Sequence, residues 1–143
     1  MPLPPAPSVA NDWPQFLGPT RDGRYAGKPL ARVWPDGGAP REIWRTRVGQ
    51  GLAGPVVAGE RLILFHRERN HEVVEAWDVH SGRPKWRYEY ATTYRDDFGF
   101  DEGPRSVPVV AGGRVFTFGA QGQLHAVDLE TGEGVWSVDT QRR

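Results

Sequence analysis

Four carboxylates fall within seven residues, at Asp96, Asp97, Asp101 and Glu102, and carboxylate oxygens are the ligands that Ca²⁺ takes. Their spacing is not that of an EF-hand loop, and Arg95 and Arg105 flank them, so the stretch reads as a solvated, salt-bridged loop. His66 and His71 could approach each other across a hairpin at Arg67–Asn70. Two histidines without a third ligand make a weak zinc signal, and a surface hairpin of mixed charge is the plainer reading. Ser8, Ser81, Ser106 and Ser137 lack a G-x-S-x-G context, and His80 and His125 are expected to point outward. Gly49-Gln50-Gly51-Leu52-Ala53-Gly54 matches G-x-G-x-x-G as a string. It precedes an expected strand rather than a helix, so the dinucleotide reading fails. With no cysteine in the chain, disulfides, Cys-ligated metals and thiol nucleophiles are excluded.

The elements that would position these groups follow from composition and pattern. The 143 residues carry 18 Lys+Arg against 18 Asp+Glu, a formal net charge of zero. That balance lacks the basic footprint of a nucleic-acid binder. No apolar run approaches the roughly 18 residues of a membrane span. Met1–Pro7 holds four prolines and reads as an extended, disordered arm with neither the basic nor the apolar region of a signal peptide. Eighteen Gly and 13 Pro between short apolar runs, with six Trp, six Phe and four Tyr, fit a turn-rich all-β protein with an aromatic core.

Two internal repeats organise the chain. Residues 76–86 align without gaps on residues 126–136 as A-x-D-x-x-[ST]-G-x-x-x-W. Upstream, Pro55-Val56-Val57-Ala58-Gly59 matches Pro108-Val109-Val110-Ala111-Gly112. Trp44, Trp86 and Trp136 stand 42 and 50 residues apart, so a unit of about 40 residues recurs with insertions at loops, the signature of a solenoid, propeller or array. The units span about 49–90 and 107–139, with an inserted loop at 91–106, after an N-terminal arm at 1–41. Each reads as four short strands: 54–58, 61–66, 72–78 and 84–90, then 107–111, 114–118, 123–128 and 134–139. Gly112-Gly113 supplies a two-residue hairpin turn, and no helix of consequence is expected.

The repeated residues have mechanical reasons. Asp78 or Asp128 ends a strand, and its carboxylate can accept N–H groups of the following turn, joined by the hydroxyl of Ser81 or Thr131. Gly82 or Gly132 takes the left-handed conformation that other residues avoid. Trp86 or Trp136 then offers a broad apolar face with an N–H. Ala76 or Ala126 must be small if that ring packs over it.

This eleven-residue pattern resembles the tryptophan-docking repeat of pyrroloquinoline-quinone (PQQ)-type β-propellers over residues 42–139. The resemblance implies four-stranded antiparallel blades, with Trp86 and Trp136 as equivalent wedges between adjacent sheets. It admits both quinoprotein alcohol dehydrogenases and the non-catalytic propeller lipoprotein that assists outer-membrane assembly. Residues 12–23, Asp-Trp-Pro-Gln-Phe-Leu-Gly-Pro-Thr-Arg-Asp-Gly, look like the start of many bacterial members lacking assigned chemistry. The segment is expected to fold back so that Trp13 and Phe16 are buried. The dehydrogenases hold PQQ beside Ca²⁺, commonly with a vicinal disulfide. This sequence has no cysteine, and neither their catalytic Asp nor a C-x-x-C-H heme motif is found, so no cofactor is expected. A periplasmic or secreted home is expected by resemblance only.

Two units and one outer strand around Trp44 are fewer than the four to eight blades that close a ring. The expectation is therefore a partial β-propeller: two four-stranded blades plus an extra outer strand, forming a fragment of a longer protein or closing by oligomerisation. The function expected is a non-catalytic scaffold that binds a protein partner or the remaining blades. The alternative is the N-terminal part of a PQQ-dependent alcohol or sugar dehydrogenase. Tyr94, Asp97, Phe98, Phe100 and Arg105 on the inserted loop form a candidate rim surface, unless the two Phe pack beneath the loop.

Overall fold

The computed structural model describes residues 12–29, 33–34 and 38–142; the proline-rich stretch 1–7 lies outside them. Eight strands form two sheets and no helix occurs among the described residues. The first sheet is β1 (Val56–Ala58), β2 (Arg61–Glu68), β3 (His71–Asp78) and β4 (Pro84–Ala91); the second is β5 (Val109–Ala111), β6 (Arg114–Phe118), β7 (Gln123–Asp128) and β8 (Gly134–Asp139). Each is antiparallel in simple chain order. No helix is long and apolar enough to cross a membrane, among the described residues.

Local chemistry explains the hairpins. Gly112 and Gly113 both have positive φ, 56° and 72°, the backbone that a two-residue turn between twisted strands requires. The three residues by which the first unit is longer extend the β2–β3 hairpin, which turns at Arg69, itself at φ 54°. Both sheets carry a register shift at the same repeat position, between Ala76 and Trp77 and between Ala126 and Val127. The two copies thus share an irregularity as well as a strand order.

Period-two alternation decides which faces meet. Val56, Ile63, Phe65, Val74, Ala76 and Trp86 of the first sheet form one buried cluster with Val115 and Val127 of the second. The core therefore lies between the sheets. The N-terminal segment stitches their first strands together: Trp13 exchanges both backbone hydrogen bonds with Val57, at 2.8 and 3.0 Å, and Val110 N–H donates to the Pro14 carbonyl at 2.8 Å. Trp13 is half-buried, whereas Phe16 is exposed. The expected burial of Phe16 fails because the tight turn at Gln15–Gly18 lifts it off the sheets.

The expected extra strand around Trp44 also differs. Residues 42–48 form no ladder among the described residues. They lie against the first sheet through the Trp44 side chain, and the nearest backbone pairing is the single bridge of Gln50 to Arg67.

Candidate functional site

The repeated turn builds a seat. Asp78 Oδ1 accepts the N–H of Ser81 at 2.9 Å, its hydroxyl at 2.8 Å and the N–H of His80 at 3.2 Å. Asp128 does the same with Thr131 and Glu130, at 2.9 Å to each N–H and 3.2 Å to the hydroxyl. The Ser81 N–H, followed by its hydroxyl, holds the Asp78 carboxyl well below the usual carboxylate range, and the Thr131 and Glu130 N–H groups lower Asp128. The turn then passes through Gly82 and Gly132 at φ 68° and 75°.

An indole lies on each of these glycines. A Cβ at Gly132 would stand 2.7 Å from the Trp86 ring, and one at Gly82 would stand 2.6 Å from Trp44. Trp86 Nε1 donates to the Leu129 carbonyl at 2.9 Å, and Trp44 Nε1 donates to the Val79 carbonyl at 2.9 Å. Val79 and Leu129 occupy the same repeat position, so the two contacts are copies of one device. Ala76 and Ala126 sit opposite Trp86 and Trp136 in the strand register and are fully buried.

Trp86 and Trp136 do not share an environment, contrary to expectation. Trp86 is 8% exposed and Trp136 is 38% exposed. Trp86 meets the second sheet; the outer side of Trp136 faces no further sheet among the described residues, and its aromatic neighbour is Phe116 of its own sheet, at 5.9 Å between ring centroids.

Polar groups join the blades beside the wedge. Arg61 pairs with Glu130. Glu72, fully buried, accepts the Ala120 N–H at 3.0 Å. Tyr88 Oη and His125 Nδ1 are 2.9 Å apart, and the His125 ring stacks on Tyr90 at 3.8 Å. His125 therefore points inward rather than outward, since alternation along β7 places it on the same face as Val127. Burial lowers its pKa; burial, reinforced by Glu72, raises that of Tyr90. His80, by contrast, is exposed.

The inserted loop is rooted on a buried cation. Arg67, 1% exposed, donates to the carbonyls of Arg69, Tyr94 and Glu102 at 2.7, 2.8 and 2.9 Å. Arg105 lies 5.6 Å from the Tyr94 ring centroid and donates to Tyr94 Oη and the Asp101 carbonyl. Asp96 accepts the Phe100 N–H at 2.6 Å, and Asp97 is exposed at the tip. Phe98 and Phe100 are 82% and 84% exposed, with their rings 6.4 Å apart. They do not pack beneath the loop. A cavity of about 260 Å³ lies between Tyr94, Arg105, Ser106, Phe118, Gly119 and Ala120.

Among the described residues, one group could be considered for a metal: His66, Glu68 and Glu75. Sequence reading placed His66 on a surface hairpin, but it is buried, because the chain at Gly49 runs over it. His66 Nδ1 accepts the Gly49 N–H at 3.0 Å, so Nε2 carries the proton and donates to Glu75 at 3.1 Å. Arg87 pairs with Glu68, Glu75 and Glu89 at 2.9, 3.5 and 2.9 Å. A guanidinium already neutralises the carboxylates and no imidazole lone pair is free, so this donor set does not fit Ca²⁺. His71 is exposed and pairs in register with Glu68. The four loop carboxylates do not converge: Glu102 pairs with Arg95, Asp96 with Arg105, and Asp101 accepts the Gly103 N–H.

These paired sheets, stacked through the Trp86-on-Gly132 contact that Trp44 copies on Gly82, define blades of a β-propeller. A family model described as outer membrane protein assembly factor BamB matches residues 70–143. The chain belongs to this PQQ-like β-propeller repeat family. Among solved structures, the quinohemoprotein alcohol dehydrogenase from Comamonas testosteroni superposes with a TM-score of 0.64 at 24% identity, covering 92% of this chain and 20% of that one. BamB from Moraxella catarrhalis gives a TM-score of 0.48 at 24% identity, covering 67% of this chain and 26% of that one. The chain thus spans about a fifth to a quarter of the length of these structures. No curated protein matches it by sequence.

Proposed function

We propose that residues 42–139 are two consecutive blades of a larger ring whose role is to hold partners rather than to turn over a substrate, with Trp86 and Trp136 as its inter-blade docking wedges. The observation that supports this is how the chemistry-bearing side chains are spent. Arg67, Glu72, Arg87, His66 and His125 all serve contacts that join strands, blades or the inserted loop. Among the groups left in solvent are two apolar patches, the Phe98–Phe100 pair and the side of the second sheet that carries Trp136.

Family membership supports a protein partner, since the matching model is named for an assembly factor of outer membrane proteins. It supports an extracytoplasmic home on the same ground. The inserted loop, with Tyr94, Asp97, Phe98, Phe100 and Arg105, is the proposed rim where that partner lands. A Phe98→Ser/Phe100→Ser variant should keep the wild-type melting midpoint, because both rings are already in water, and should lose partner binding. A midpoint falling by several degrees would show that the rings serve the fold instead.

The competing reading, the leading part of a quinone-dependent dehydrogenase, is tested by adding PQQ and Ca²⁺ and assaying dye reduction with alcohols and sugars. The scaffold reading predicts no turnover above background. Turnover carried by this chain would overturn it.

A further inference from the structure

β1 and β5 are the edge strands of their sheets, and one short piece of chain lies on both. Trp13 exchanges two backbone hydrogen bonds with Val57, the Pro14 carbonyl accepts the Val110 N–H, and Asp12 Oδ1 accepts the Gly59 N–H at 2.9 Å. An edge strand pairs with an extended backbone that matches its free N–H and C=O groups. Residues 12–14 are such a backbone, a strap across the two edges.

The turn that follows the strap is strained and stands apart from the sheets. Leu17 and Arg21 lie at φ 61° and 58°, in the left-handed region that residues other than glycine avoid. The hydrogen bonds of residues 15–23 run to one another or to Arg24, and none reaches a sheet among the described residues. The Gln15 side chain braces the turn, donating to the Gly18 and Pro19 carbonyls and accepting from Arg21. Those bonds are within reach of solvent, and water replaces them at small net cost. Phe16 and Leu17, at the crest, are 65% and 42% exposed. Opening the turn releases the strain and lets Phe16 and Leu17 of two chains lie together, out of water.

We infer that the strap is exchangeable and that its partner is a second copy of this chain: each copy lays residues 12–14 on Val57 and Val110 of the other. The same backbone bonds form in either arrangement, so the turn decides between them, and short connections under strain favour exchange. Fully extended, residues 15–23 span roughly 30 Å, enough to reach the β1 edge of a neighbouring copy. Neither the inserted loop nor the Trp136 side takes part.

Sedimentation velocity on the full chain tests this. Wild type should show a dimer that grows with concentration. Leu17→Gly relieves the closed turn and, with two turns in each dimer, should lower the association constant at least about tenfold. Gly18→Ala should raise it at least about tenfold, because in the closed turn a Cβ at φ 77° meets the Trp13 ring at 2.7 Å. The chain has no cysteine, so exchange is also read by mixing singly substituted Asp12→Cys and Ala58→Cys chains under mild oxidation. The antiparallel bridge of Trp13 to Val57 puts Asp12 opposite Ala58. Exchange predicts a disulfide between unlike chains in excess over either like pair, and a strap that stays at home predicts no excess. Should Gly18→Ala fail to fold, Leu17→Gly and the mixed disulfide decide the matter. Single-chain mass at every concentration, a dimer indifferent to the turn substitutions, or a dimer without the excess of mixed disulfide would overturn the inference.

Discussion

Replacing the two repeat tryptophans one at a time gives a measurable asymmetry. Trp86→Ala removes a ring that is 8% exposed and packed on Gly132, and it strips the Leu129 carbonyl of its donor. Large-to-small changes at such sites cost about 3–5 kcal/mol, because a cavity is added to the lost transfer energy. Trp136→Ala removes a ring that is 38% exposed, with no second sheet on its outer side among the described residues. Solvent fills the space it leaves, so only the transfer of its covered part is lost, about 1–2 kcal/mol. The two variants should therefore differ by roughly 2 kcal/mol or more, a large fraction of a domain's typical stability. Urea unfolding with the slope m held in common reads this directly. Equal losses, or the larger loss at Trp136, would refute the claim that one indole is wedged between sheets and the other is not.

Three more predictions follow from the seat and its neighbours. Gly132→Ala should cost more than Gly113→Ala. Both glycines are left-handed, at φ 75° and 72°, but a Cβ at Gly132 meets Trp86 at 2.7 Å while one at Gly113 meets nothing within 4 Å. The control isolates the conformational part, about 1–2 kcal/mol, and thermal melts of the pair measure the remainder. Asp78 and Asp128 have folded pKa values below their unfolded ones, so their contribution is whole at neutral pH and drains away as pH falls below the ordinary range near 4. An Asp78→Asn/Asp128→Asn variant should show a flatter acid limb in melts across that range. His125 runs through a higher window. Its folded pKa is depressed by burial, so the unfolded chain binds the proton more readily and stability falls as pH drops below the unfolded value of about 6.5. His125→Gln should remove that slope in unfolding experiments between neutral pH and its folded pKa.

Most of the fold was legible because its determinants are local. Gly112-Gly113 and the Asp-to-Gly turns specify hairpins within a few residues, and the strands built from them begin where expected or within two residues, as at Val109–Ala111. The inward aim of His125 was also available, since alternation ties it to the face of Val127. Arg67 was not readable as a buried root for the inserted loop. Its partners at Tyr94 and Glu102 lie 27 and 35 residues away, and nothing in a mixed-charge hairpin announces them. The unlike exposure of Trp86 and Trp136 was hidden for a similar reason: the eleven-residue motif fixes the turn and the register, but burial depends on a sheet that the motif does not contain. Trp44 shows the converse. Its spacing suggested a strand, whereas its side chain alone finds a seat.

The central claim is that an indole N–H pinned to the turn of the next blade joins the sheets, with Trp44 and Trp86 pinned and Trp136 without such an acceptor among the described residues. Hydrogen exchange of the indole N–H groups, followed residue by residue by NMR, tests it most directly. The account predicts protected signals for Trp44 and Trp86 and free exchange at Trp136. Rapid exchange at Trp86, or equal protection at Trp86 and Trp136, would contradict it.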